Sequence, residues 1–203
     1  MNENIELTYN RVIAKCKDMF FKKTRDYGPS WIIFRLPSIT DQIYIKAKRI
    51  RRIEELGGKH KVPENIDSEY IGIINYCIMA LMKLKDPNFQ IEEGEYFENK
   101  SMKITQLDLS DLGQIYDSTV AETKELMLRK NHDYAGAWRE MRLSSILDEI
   151  LVKISRIKWI EYHTEQLLVS EGLDALYSDI LNYSVFALIR LDSGSKENGK
   201  DDI

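Results

Sequence analysis

A set of charged and amide side chains occurs twice in this 203-residue chain at a constant offset of 107 positions. Lys23, Asp26, Arg35, Asp41, Lys46, Arg49, Glu64, Asp67 and Asn75 are answered by Lys130, Asp133, Arg142, Asp148, Lys153, Arg156, Glu171, Asp174 and Asn182. A duplicated scaffold has to repeat its apolar stripe, but a repeated charged set asks for a further reason. Lys153 and Arg156, like Lys46 and Arg49, stand three apart and so share one helix face beside an apolar stripe. A compact ammonium next to a planar guanidinium suits phosphate, although the same spacing describes a solvated face on which Lys153 reaches Glu149 one turn earlier. Asn182 follows two apolar residues in a strongly apolar run, and a buried amide must find partners. It either ties two helices together or reads a ligand. Glu171, Asp174 and Asp179, with Glu149 on the preceding helix, offer hard oxygen ligands of the kind Mg²⁺ prefers; Glu171 and Asp174 also suit a helix N-terminus with no metal present. Asp133, Tyr134 and Trp138 fall at a break between helices, where an aromatic ring could stack on a base and the Asp could bond a sugar hydroxyl or a lysine, or where the Trp simply packs. His132 has no histidine twin and is given no role. No Ser-His-Asp triad, Gly-rich phosphate loop or Cys nucleophile with a base is discernible.

The elements that must position these residues follow from the same self-comparison. Residues 9–84 align with 116–191 without a gap, and 28 of the 76 pairs are identical, so the chain is a tandem duplication. Each unit reads as three helices by 3.6-residue periodicity. The first ends near Asp26 or Asp133, where Tyr27-Gly28-Pro29 or Tyr134-Ala135-Gly136 breaks the pattern. The second opens at Ser38 or Ser145, each followed three residues later by Asp41 or Asp148 in the manner of a capping box. Its stripe is Ile39, Ile43, Ala47 and Ile50, and in the copy Ile146, Ile150, Ile154 and Ile157. The third, from about Asp67 and about Asp174, is apolar nearly all round and belongs at the centre. The expected plan is all-α: a first unit at 1–84, a connecting segment at 85–115, a second unit at 116–191 and a disordered tail at 192–203, the two units sharing one core about a pseudo-twofold axis.

Composition narrows the function. With 43% hydrophobic and 31% charged residues and only four prolines, the chain has the make-up of a globular protein. Its net charge of -4 and pI near 5.5 disfavour nucleic acid as a partner, while leaving room for a small anionic ligand met by a local cation cluster. No signal pattern or long apolar run is present, and the two cysteines, Cys16 and Cys77, lie in apolar helical runs; a cytoplasmic protein with no membrane contact is expected.

The pattern Lys-x-x-Asp-Tyr followed by Trp, Arg, Ser and Asp, with the late Asp-x-x-Asn-Tyr, resembles the bacterial family called nucleotide modification associated domain 1, and does so across both units. More distantly the late helix looks like that of the MazG-like and dimeric dUTPase-like all-α pyrophosphohydrolases. In that pattern Asp179 matches the final metal-binding Asp, but Leu176 stands at the Glu position before it; the first unit has the complementary defect, Glu69 with Gly72, and Gln42 replaces Glu149. The resemblance implies a nucleoside triphosphate or modified nucleotide as ligand and Mg²⁺ as cofactor, with the better-preserved site in the second unit. Glu149, Asp174 and Asp179 would bind the metal, and Glu171 would orient water. Lys153, Arg156 and Arg142 would hold phosphates, and Asp133, Tyr134, Trp138 and Asn182 the nucleoside. The alternative is a non-catalytic helical module that senses a nucleotide or pairs with another protein. A homodimer is compatible with either, and the duplication offers a second half within one chain as the alternative.

Overall fold

A computed structural model describes residues 4–57, 65–86, 89, 108–163 and 172–198. Among them the chain is entirely helical: α1 (Ile5–Tyr27), α2 (Leu36–Glu55) and α3 (Ile66–Lys85) form the first unit, and α4 (Leu109–Asp133), α5 (Leu143–Tyr162) and α6 (Leu173–Asn198) the second. A short 3₁₀ turn, Ser30–Ile33 or Ala137–Glu140, joins the first two helices of each unit.

The two apolar helices are central as their composition demands. α3 and α6 pack on each other, α2 and α5 close the four-helix core, and α1 and α4 lie against both α3 and α6. The stripe residues of α2 and α5, from Ile39 to Ile50 and from Ile146 to Ile157, are each at most 1% exposed. Burying each isoleucine contributes about 1.5–3 kcal/mol, so these two stripes alone account for much of the drive that holds the units together.

Contacts between the units are reciprocal. Lys158 Nζ donates to Asp41 at 2.5 Å, and its twin Arg51 pairs with Asp148, the twin of Asp41. Tyr9 donates its hydroxyl to Asn182 Oδ1 at 3.0 Å, while Tyr116 donates to Asn75 Oδ1 at 3.0 Å. Contacts exchanged in this way are the signature of a twofold relation, here between two halves of one chain.

Three details differ from the sequence reading. α2 and α5 start two residues before Ser38 and Ser145, because the carbonyls of Arg35 and Arg142 take the first helical hydrogen bonds and Pro37, in the first turn, has no N–H to lose there. Neither helix has a side-chain cap. Asp41 and Asp148 are therefore spent on cations of the opposite unit rather than on their own helix ends. At the other end of the chain, α6 continues to Asn198, past the expected end of order at Leu191, and Asp192 meets Lys15 of α1 at 3.4 Å.

The duplication is not symmetric at the seam. In one half Thr40 Oγ1 lies 2.7 Å from both Glu161 Oε1 and the Tyr177 hydroxyl. In the other, Leu147 replaces Thr40, and Glu54 Oε2 and the Tyr70 hydroxyl are buried with no hydrogen bond among the described residues. Burial raises the pKa of Glu54 above the ordinary 4.5, with Asp148 adding to the effect and Arg51 opposing it. A carboxyl whose folded pKa is raised costs stability when ionised, and the cost fades as pH falls from above that raised value to 4.5. Glu54→Gln is accordingly expected to be more stable than wild type at neutral pH in urea unfolding, with the gain shrinking on acidification. A variant less stable at neutral pH would show that Glu54 is a net stabilising anion.

Candidate functional site

The end of α4 and the turn after it shape one wall of a pocket in the second unit. Ala135 and Gly136 adopt positive φ, 51° and 71°, and Gly136 N–H donates to the Asn131 carbonyl at 3.0 Å. This left-handed reversal, easy for glycine, drops Trp138 into the protein. Its ring stacks on Phe186 with centroids 4.3 Å apart and planes 4° from parallel, its Nε1–H donates to Asn131 Oδ1 at 2.9 Å, and the Arg139 guanidinium sits 4.7 Å from its centroid.

Between this turn, α5 and α6 lies a pocket of about 380 Å³, within the size range of small-molecule sites. Tyr134, Trp138, Lys153, Asp179 and Asn182 all line it. Those five of the residues singled out from sequence therefore converge. Lys130, Asn131 and Tyr183 also line it and had been given no role; Lys130 and Tyr183 were signalled by their identity with Lys23 and Tyr76 and by their places in the Lys-x-x-Asp-Tyr and Asp-x-x-Asn-Tyr patterns.

The pocket is chemically two-sided. Tyr134 is 72% exposed and leaves a ring face open, whereas Trp138, 8% exposed, is committed to packing. Asp179 links three helices: its Oδ1 accepts from Lys130 of α4 at 3.0 Å and its Oδ2 pairs with Lys153 of α5 at 2.7 Å. Glu149 and Asp179 both act on Tyr183, whose phenol is raised first by burial and then by those two charges.

Asn182 distinguishes this pocket from its twin region. It is 7% exposed, and its Oδ1 takes the Tyr9 hydroxyl, while its Nδ2 makes no hydrogen bond among the described residues. In Asn75 both ends are spent: Oδ1 takes Tyr116, and Nδ2 donates to the Cys16 carbonyl at 3.0 Å. The lysine partners differ as well. Lys46 and Arg49 both bind Glu69, which is 3% exposed, and the Lys46 stem runs so close over Gly72 that a Cβ there would lie 2.6 Å from Lys46 Cε. Glu69 and Gly72 become Leu176 and Asp179 in the second unit. The carboxylate has moved one turn, from a buried position to the pocket wall.

The remaining expected site residues are not gathered there. Asp133 is exposed beside His132, at 3.3 Å. Arg142 and Arg156 are exposed and do not line the pocket, and Arg142 acts at the start of α5 through its backbone carbonyl. Asp174 is exposed in the first turn of α6, and Glu171 lies outside the described residues. Among the described residues no three of His, Cys, Asp and Glu come together where they could hold a metal ion. The cysteines are buried, and burial pushes the Cys16 thiol up to about 12, which removes it as a nucleophile.

The sequence profile of nucleotide modification associated domain 1 matches residues 23–84 and again residues 130–191. The chain belongs to this family. Both matches begin at a lysine near the end of the first helix and run into the third, to Leu84 of α3 and Leu191 of α6, so the family's unit takes in every pocket-lining residue except Met127. No curated protein and no solved structure gave a match, and no helix among the described residues is long and apolar enough to cross a membrane.

The exchange of acids yields a stability test. Glu69→Leu should destabilise the protein by no more than the low end of the ~3–5 kcal/mol seen for broken buried pairs, because Lys46 and Arg49 are each 26% exposed. Adding Gly72→Asp should recover part of that loss by recreating the arrangement of the second unit. A double variant no more stable than Glu69→Leu alone would show that the two acid positions are not interchangeable partners of the lysine.

Proposed function

We propose that the second unit binds a nucleotide in the pocket between Tyr134, Asn182, Lys130 and Lys153. The unspent amide of Asn182 carries the reading. Its N–H groups have no protein partner among the described residues and are open to the pocket, so a ligand acceptor can take them in place of water. Tyr134 offers a face to a planar ring, and the two lysines form a cationic end suited to phosphate oxygens. A flat, acceptor-bearing head with an anionic tail is the outline of a nucleotide, and the family's description, nucleotide modification associated, points to the same class.

The described residues do not fit a bare Mg²⁺. Both oxygens of Asp179 are taken by ammonium groups, Glu149 alone stands nearby, and Asp174 is elsewhere. Binding without metal is therefore the function the pocket supports, and the Mg²⁺-dependent pyrophosphohydrolase implied by the distant resemblance becomes the outcome that would extend it.

The test is binding and turnover of a panel of common and modified ribo- and deoxynucleoside mono- and triphosphates, with Mg²⁺ and with EDTA. A ligand at a hundred times its Kd should stabilise the protein by about 2.7 kcal/mol, equally in EDTA. Asn182→Asp keeps an acceptor for Tyr9 but removes the donor, and is expected to weaken binding at least about ten-fold, the worth of one buried hydrogen bond. Tyr134→Ala, at an exposed site that leaves the fold intact, should weaken it as well. No response across the panel would refute nucleotide binding; Mg²⁺-dependent release of pyrophosphate would establish catalysis in place of a purely binding role.

A further inference from the structure

We propose that Asp179 is a built-in stand-in for a ligand anion, and that a phosphate or pyrophosphate group binds by displacing its carboxylate from Lys130 and Lys153. The proposal rests on the same pocket but not on the identity of the nucleoside end. Lys153 is the constrained partner: its side chain is only 11% exposed, so its charge requires a nearby anion rather than bulk water. Lys130 approaches from another helix, and the two ammonium groups take one oxygen each of the same carboxylate, 3.0 and 2.7 Å away. Two oxygens of a phosphate can bridge two such donors in the same way.

The first unit shows the alternative solution to the same charge problem. There the repeated lysine is retired to Glu69, buried at 3% exposure and held by Arg49 as well. Gly72 occupies the position of Asp179, and Lys23, the twin of Lys130, makes no ion pair among the described residues. In the second unit Leu176 removes the buried acid, and Asp179 supplies one on the pocket wall at 14% exposure, where solvent and ligand can reach it. The lysine charge is thereby kept at the pocket rather than withdrawn into the core. Glu149, which acts on Tyr183 together with Asp179, adds a second negative charge near the same wall. The resting pocket is thus held close to neutral and selects anions able to outbid a carboxylate, which favours multiply charged phosphates over monovalent acids.

Pyrophosphate alone is the probe, titrated calorimetrically into the full chain in EDTA. Asp179→Asn removes the competing charge with little change in shape, and is expected to bind pyrophosphate at least about ten-fold more tightly than wild type, as loss of one like-charge repulsion at a partly buried site implies. Adding Lys153→Met to that variant should abolish the gain. Lys130→Met, at a side chain 52% exposed and so structurally cheap, should weaken pyrophosphate binding to the otherwise unaltered protein. Equal or weaker binding by Asp179→Asn overturns the proposal, as does binding that needs Mg²⁺ and vanishes in that variant, since Asp179 would then be a metal ligand. Free nucleosides, titrated in parallel, separate the two readings: nucleoside binding with a failed pyrophosphate result removes the displacement and keeps the pocket, and the reverse removes the nucleoside end alone.

Discussion

The two crossed hydrogen bonds from Tyr9 to Asn182 and from Tyr116 to Asn75 are the constraint around which the molecule is arranged. Each joins the first helix of one unit to the last helix of the other, at four positions that are identical in the repeat. All four side chains are nearly or wholly buried, and burial drives the phenol pKa of Tyr9 and of Tyr116 far upward, so both remain neutral donors at any physiological pH. A buried amide carbonyl without its donor is expensive. These bonds therefore fix how α1 and α4 cross the central pair α3 and α6, and with that the position of everything on α6, including the pocket wall.

From this shared frame the two units diverge. In the first, aromatic packing is dense: Phe20 lies against Trp31 and Tyr116, and Phe89 covers Trp31 with centroids 5.4 Å apart. The equivalents of Phe20 and Phe34 in the second unit are Met127 and Met141, thinner and more adaptable side chains, and both line the pocket. In the same unit the Asn182 Nδ2 has no hydrogen bond among the described residues, and Asp179, in place of Gly72, brings an acid to the wall. Each copy braces the other through its tyrosine, and the second unit carries the pocket described above. A duplication allows this division because the core stripe is satisfied twice while each polar site needs to be kept only once.

Much of this was legible in the sequence. The 107-residue offset, the three helices per unit and the buried stripes all follow from periodicity and self-comparison, because apolar spacing is dictated by the helix itself. Tyr134, Trp138, Lys153, Asp179 and Asn182 could be chosen because they are repeated or placed against an apolar background. What could not be read was pairing across helices. Leu176 and Gly72 looked like missing metal ligands in two half-degenerate copies, whereas together with Glu69 and Asp179 they form an exchange of partners for one lysine. Ser38 with Asp41 looked like a local cap, but Asp41 serves Lys158 of the other unit. Such outcomes depend on where a side chain ends after packing, which spacing along one helix does not specify.

The most direct test of the division between the units is a crystal structure of the full chain grown with a nucleotide that stabilises it. The ring should lie against Tyr134 with an acceptor within hydrogen-bond distance of Asn182 Nδ2 and phosphate oxygens at Lys130 and Lys153, with no ligand beside Asn75. A nucleotide bound in the first unit or at the seam, or one that leaves the Asn182 amide untouched, would contradict the account.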